Sequence, residues 1–336
     1  MLEATVQPGA SPSIEHRRLG SRSSASFTAP AGRLVRLEDA MLETRRCVAL
    51  SPRFGFVGES VRKKPRAIER AGYVIHETGE LTFPDREVVS VDFPAVDLAL
   101  PYRHNYFHWM IQAFGGLLLA RQFIPPEARI VVRLELAPFE AETLAVLGIA
   151  PDSVFVLPPD RMVSFPELYV LPLTCTTSRA LAPAVADALR GLVDVQADST
   201  SPRRIYVTRK STRGRRIVNH DEVGVLLAEH GFAEVTPEGL SVQEQIALFG
   251  QAEAVIGVHG AGLTNAVFSA PGTLLIELHT EQPKATGDVY WNLAAISGLR
   301  YIRIVCKSLS LRGGSDIEVD CSHLDAILRR QLPVLD

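Results

Sequence analysis

The chain has 336 residues, a formal net charge of −3, 46% hydrophobic residues and 22% charged ones, which is enough chain for about two globular domains with a sizeable core. The charge balance excludes a general nucleic-acid binder. Cys47, Cys175, Cys306 and Cys321 form no C-x-x-C pair, so no zinc or redox motif is visible, and no apolar run reaches the ~18–20 residues that span a bilayer.

Taken in order, residues 1–32 are rich in Ser, Pro, Gly and Arg and lack the apolar region of a signal peptide. A flexible tail and cytoplasmic residence are the expectation. Short strands are predicted at 47–50, 72–76, 88–91 and 96–100, with the basic segment Arg62-Lys63-Lys64-Pro65-Arg66 in a loop that is either solvated or turned to an anionic acceptor or membrane. Asn105 is a plausible N-cap. Phe107, Met110, Ile111, Phe114, Leu117 and Leu118 have helical spacing that runs to about Phe123. His104, Asn105, His108 and Gln112 gather at the start of that helix, with His108 and Gln112 on one face, and suggest the mouth of a cleft.

The pattern then alternates. Strands are predicted at 129–132 and 154–157, a pair of strands at 161–164 and 167–171, and helices at 138–147 and 183–193. Such βα units imply a largely parallel sheet. The polar stretch 194–202 reads as a linker. Beyond it, strands at 204–208, 232–235, 254–258, 273–278 and 301–305 alternate with helices. Two of these helices open on capping-box spacings, Asn219 to Glu222 and Ser241 to Glu244. A terminal helix is expected over 320–332. This second half reads as an open doubly wound α/β domain, whose ligands bind beyond the carboxyl ends of its strands.

Three features fall at that edge. The first is the run His259-Gly260-Ala261-Gly262-Leu263-Thr264-Asn265 after a buried strand. Its glycines would permit unusual dihedrals and close approach of a ligand, and the following turn would offer unpaired N–H groups and a positive helix end to a phosphate. The second is a loop of five cations from Arg209 and Lys210 through Arg216, aimed at phosphate oxygens. The third is Glu277, at the end of an apolar strand, which either accepts hydrogen bonds from ribose hydroxyls or pairs with a nearby basic residue.

The segments Tyr106-Phe107-His108-Trp109, Ile205-Tyr206-Val207-Thr208-Arg209, Arg216-Ile217-Val218-Asn219 and Val258-His259-Gly260-Ala261-Gly262-Leu263-Thr264-Asn265, with Pro271-Gly272 and Glu277, resemble glycosyltransferase family 61. Bacterial members of that family are often labelled capsular polysaccharide biosynthesis proteins. The resemblance covers residues 95–305. It implies an α/β fold of GT-B type, with two Rossmann-like domains facing across a cleft: an N-terminal acceptor-side domain over 33–195 and a C-terminal nucleotide-sugar-binding domain over 196–310. A loop and helix would follow over 311–336.

The implied reaction is inverting transfer of a sugar from a nucleotide-sugar donor, commonly UDP-linked, to a saccharide or lipid-linked glycan acceptor in capsular or exopolysaccharide synthesis. The enzyme would be cytoplasmic, at the inner face of the membrane, and would need no cofactor or metal. No D-x-D motif occurs; the nearest approach is Asp316-Ile317-Glu318. On this reading Arg209, Lys210, His259, Gly260, Ala261, Gly262, Leu263, Thr264, Asn265 and Glu277 bind the donor, and His104, Asn105 and Gln112 bind the acceptor.

Inversion needs a base. By that resemblance many relatives carry an acidic residue four positions after the helix histidine, where this chain has Gln112. His108 is therefore the expected base, with Asp92 and Asp97 as further options. Two other functions fit the same residues: a non-catalytic nucleotide- or glycan-binding subunit of a polysaccharide assembly complex, and a nucleotide-sugar epimerase.

Overall fold

The computed structural model describes the backbone of residues 3–5, 13–17, 24–28, 32–51, 55–56, 74–75, 81–82, 86–102, 104–176, 180–193, 201–208, 215–280, 288–309 and 316–332. Side chains are described from residue 32 onward, leaving out 55–56, 74–75 and 81–82. The chain divides into two compact units, residues 1–12 with 28–188 and residues 13–27 with 189–336. The stretch expected as a tail contains the strands Glu3–Thr5, Ser13–Arg17 and Ser24–Thr28. The expected linker falls mostly outside the described residues, as do the basic segment 62–66 and residues 209–214 with Arg209 and Lys210.

The first unit is a mixed sheet rather than a largely parallel one. Val154–Val156, Arg129–Val132, Ala95–Asp97 and Met162–Val170 lie side by side and parallel. The long strand Arg33–Glu43 then pairs antiparallel with Met162–Val170, and Val48–Ser51 folds back on it. The pair of strands expected around Pro166 is one continuous strand. Proline has no N–H for a ladder, and here the ladder steps from Phe165↔Ala40 to Glu167↔Glu38. The intervening Asp39 takes φ +50°.

Ala95–Asp97 and Met162–Val170 flank the point where strand order reverses, and the helical stretch 106–123 follows the carboxyl end of the former. Asn105 caps that stretch, accepting a hydrogen bond from the His108 N–H at 3.2 Å. The stretch is not a uniform α-helix, since Trp109–Phe114 is wound as a π-helix.

The second unit is a six-stranded sheet in the order Ala233–Val235, Arg204–Val207, Ala254–Val258, Leu274–Thr280, Arg300–Ser308, Ile317–Glu318, parallel except for the last. Period-2 patterning divides its faces. Ala254, Ile256, Val258, Leu274, Ile276, Leu278, Ile302 and Ile304 pack in one apolar cluster with Val223, Leu227, Leu324 and Leu328 of the helices His220–Glu229 and Cys321–Gln331. The alternate residues of the same strands, Glu277, His279, Tyr301 and Arg303, point to the opposite face.

Ser241 and Glu244 form the expected capping box. Asn219 does not cap its helix. Its amide instead brackets the chain near the C-terminus, donating to the Val319 carbonyl at 2.9 Å and accepting from the Val319 N–H at 3.1 Å. Among the described residues no helix is long and apolar enough to cross a membrane.

Candidate functional site

In the second unit the strand order reverses between Arg204–Val207 and Ala254–Val258. At such a point two loops leave the sheet in opposite directions and open a crevice. A cavity of about 210 Å³ lies there, lined by Tyr206, Thr208, Arg215, Arg216, His220 and Val258 among others. The Tyr206 hydroxyl meets His220 Nδ1 at 3.1 Å. Arg215, in the left-handed region at φ +55°, donates to the His259 carbonyl at 2.9 Å and so ties the cation loop to the glycine run.

The glycine run differs from expectation in two ways. Ala261–Phe268 is a 3-10 helix rather than an α-helix, and the backbone of Gly260 is extended at φ 175°. Space is tight at Gly262 instead, where a Cβ would lie 3.0 Å from Val207 Cγ1. Gly257 is confined in the same way, with a Cβ 3.0 Å from the Val207 carbonyl. The loop can therefore lie close against the neighbouring strand. Among the described residues the N–H groups of Ala261 and Gly262 take no intramolecular hydrogen bond, whereas those of His259 and Leu263 are bound by Leu278 and Gly260 carbonyls. Leu263, Thr264 and Asn265 are fully buried. Asn265 donates to Gln245 of helix Val242–Gly250 at 2.7 Å.

Glu277 is 0% exposed. It pairs with a basic residue, the alternative left open by the sequence. His259 Nδ1 and the Tyr301 hydroxyl both donate to its carboxylate, and Arg303, its register neighbour on the next strand, donates at 3.2 Å. Arg303 also reaches Asp288 at 3.0 Å. The His279 and Tyr290 rings stand edge-on to His259, at centroid distances of 5.0 and 5.1 Å. The Tyr290 hydroxyl donates to the Gly260 carbonyl.

Burial opposes charge on Glu277, yet His259, Arg303 and Tyr301 outweigh it and hold the carboxyl below its ordinary range. Burial also pushes His259 below the ordinary histidine value, with His279 and Arg215 adding to the effect and Glu277 opposing it. The consistent state is an ionised Glu277 accepting from the Nδ1–H of a neutral His259.

Sequence reasoning missed Tyr206, His220, Tyr290, Tyr301, Arg303 and Asp288. Its available signal was the alternation of polar residues at 277 and 279, and at 301 and 303, within otherwise apolar strands.

His259, Glu277 and His279 each offer a ligand atom within 4.8 Å of the others. The set does not fit a metal. Glu277 already accepts from three donors, and the guanidinium beside it repels a cation. Asp316 and Glu318, the nearest approach to D-x-D, pair with Arg216 at 3.0 Å and Lys307 at 2.7 Å.

In the first unit, Tyr102, His104, Asn105, Trp109, Arg133 and Glu140 line a small cavity at the carboxyl edge. His104 takes φ +34°, and its Nδ1 lies 3.1 Å from Glu140, a buried residue that also receives the Ala137 N–H. His108 is half-buried and stacks flat on Tyr102 at 3.7 Å. Gln112 is buried inside the π-helical segment, and its Oε1 has no hydrogen-bond partner among the described residues. It therefore does not stand at a cleft mouth.

Asp97 is fully buried and accepts from the Ala99 N–H at 2.9 Å. Asp92 precedes strand Ala95–Asp97 and so lies at the opposite end of the sheet from His104. Glu140, the partner of His104, was also missed by sequence reasoning.

A family model described as Glycosyltransferase 61 matches residues 106–276, and the chain belongs to that family. It is 32% identical over 103 residues to the EGF domain-specific O-linked N-acetylglucosamine transferase of Drosophila melanogaster, a match covering 30% of this chain and 19% of that protein. It is 33% identical over 78 residues to the β-1,2-xylosyltransferase XAX1 of Oryza sativa subsp. japonica, covering 23% of this chain and 13% of that one. The matched stretches thus span less than a fifth of these relatives. Among solved structures it is similar to the iron-containing heptosyltransferase TibC, with a TM-score of 0.32 and 14% identity over 85% of this chain and 82% of that one. A superposition at that level does not specify a fold.

Proposed function

We propose that this chain is an inverting glycosyltransferase of GT-B type that moves a sugar from a nucleotide-sugar donor, UDP-linked, to a saccharide or lipid-linked glycan acceptor in capsular or exopolysaccharide synthesis. The observation that carries the donor side is the crevice at the second unit's switch point. There a cavity of about 210 Å³ is lined in part by Arg215, which donates to the His259 carbonyl at the start of the glycine run. A diphosphate needs fixed cations and N–H donors, and a base and ribose need a slot beside them. Arg209 and Lys210 add charge to the same loop. On this reading transfer uses no metal, and the loop cations and N–H groups stabilise the departing diphosphate.

The acceptor belongs to the first unit's carboxyl edge. His108 is the base, and His104, with Glu140 behind its Nδ1, orients the acceptor hydroxyl. Membership of glycosyltransferase family 61 supports the reaction class. The burial of Gln112, where the family resemblance implies an acid, favours one second reading, a non-catalytic nucleotide- or glycan-binding subunit. Incubation with a panel of UDP-sugars and saccharide acceptors separates the possibilities. Transfer to an acceptor is expected. Nucleotide binding without turnover would favour the subunit, and donor isomerisation without acceptor would mark an epimerase.

A further inference from the structure

The carboxyl edge of the first unit carries a charge that its fold leaves unused. Strand Arg129–Val132 runs parallel beside Ala95–Asp97 and delivers Arg133 just beyond its end, where the Leu157 N–H donates to the Val132 carbonyl at 2.9 Å. Arg133 is half-buried and lines the same cavity as His104, Asn105, Trp109 and Glu140. Its side chain makes no hydrogen bond or ion pair with the described residues. By contrast Arg36, Arg86 and Arg161 of the same unit each pair with a carboxylate, at 2.6, 3.3 and 3.0 Å. A partly desolvated guanidinium is costly without an anion, and its planar fork of donors matches a carboxylate or a phosphate two bonds at a time.

Neighbouring polar groups of the lining are engaged within the chain. Glu140, the acid among them, lies 3.1 Å from His104 Nδ1 and accepts from the Ala137 N–H at 2.9 Å. With both donors on it, Glu140 repels an arriving anion less. The Trp109 indole N–H donates to Thr143 at 2.7 Å, and Asn105 Oδ1 accepts from the His108 N–H at 3.2 Å. The backbone of His104, at φ +34°, is in the left-handed region that costs a residue with a Cβ, a kind of strain that collects at ligand sites. Resting on the acceptor-site reading above, we infer that this edge is an anion subsite. Arg133 binds a carboxylate or phosphate group carried by the saccharide acceptor, and so selects charged acceptors over neutral ones.

The test compares sugars that differ in charge. The whole chain is titrated, without donor, with methyl β-glucuronide, glucose 1-phosphate and the neutral methyl β-glucoside, and binding is read by NMR. At least one of the two anionic sugars is expected to bind ~10-fold or more tightly than the neutral one. A tighter glucuronide marks a uronic-acid acceptor, and a tighter glucose 1-phosphate marks a phosphorylated one. The preference should shrink as salt rises. It should vanish in Arg133→Gln and survive in weakened form in Arg133→Lys, which keeps the charge without the fork. UDP affinity should be unchanged in both variants.

Equal binding of charged and neutral sugars would overturn the inference, as would no binding of either anionic sugar. A preference unchanged in Arg133→Gln would also overturn it, because the anion would then sit elsewhere on the chain. Should Arg133→Gln fail to fold, modification of the wild-type protein by phenylglyoxal, mapped by mass spectrometry, decides the matter. Protection of Arg133 by an anionic sugar and not by methyl β-glucoside is expected, and equal labelling with and without the anionic sugars would contradict the assignment. The transferase reading fails separately. Absence of transfer from any UDP-sugar to any saccharide would overturn that reading, while the charge preference, read by binding alone, still decides the role of Arg133. Equal transfer to charged and neutral saccharides would overturn the anion subsite and leave the transferase standing.

Discussion

Glu277 and Arg303 form a buried ion pair within a larger hydrogen-bonded set. Breaking such a pair from one side leaves an uncompensated buried charge, at a cost of ~3–5 kcal/mol. Arg303→Met is accordingly expected to lower unfolding free energy by that amount in urea denaturation, and an unchanged midpoint would show that the carboxylate is not charged. The pH dependence has a definite sign. His259 has its folded value depressed below 6.5 and Glu277 below 4.5, so in both the unfolded chain binds protons more readily. Stability is full above about pH 6.5, falls first as unfolded His259 protonates, and falls again below about pH 4.5. His259→Gln should remove the first part of the slope in thermal melts recorded across that range. On the acceptor side, His108→Ala is expected to cut turnover ~10²–10⁴-fold with UDP affinity unchanged; full activity would exclude it as the base. The histidine, glutamate and cations were legible as residues, but their partners were not. Tyr301 and Arg303 lie well over twenty positions beyond Glu277 and reach it only through strand register.

At the scale of elements, runs of β-branched residues bounded by turns were readily located. The strands Arg129–Val132 and Ala254–Val258 and the helix Val289–Ser297 lie where the periodicity puts them. The winding of short helices was not legible. Ala261–Phe268 is apolar almost throughout, so its sequence does not distinguish 3-10 from α, and packing between helices Val242–Gly250 and Val289–Ser297 decides. The π-helical segment before Gly115 is likewise a tertiary effect. A Cβ at Gly115 would overlap Val185 Cγ2 and stand 3.0 Å from the Met110 carbonyl, so only glycine lets this helix approach Pro183–Arg190 so closely. Gly115→Ala should cost ~1–3 kcal/mol. Adding Val185→Ala should recover part of that loss in a double-mutant cycle, while strict additivity of the two would refute the contact.

For the whole molecule, the second unit was the more legible because each of its parallel strands is followed by its own helix or loop in sequence. The first unit was less so. Its strand Arg33–Glu43 pairs antiparallel with a partner more than a hundred residues away, and no local pattern announces such a pairing. Both units nevertheless present candidate residues at the carboxyl edges of parallel strands, beside points where strand order reverses. The central claim is that the crevice of the second unit holds a nucleoside diphosphate. A crystal structure of the chain with UDP tests it most directly. The diphosphate should lie against the N–H groups of Ala261 and Gly262 within reach of Arg215, with the nucleoside in the cavity lined by Tyr206, Thr208 and His220. UDP bound elsewhere, with that crevice filled only by water, would contradict it.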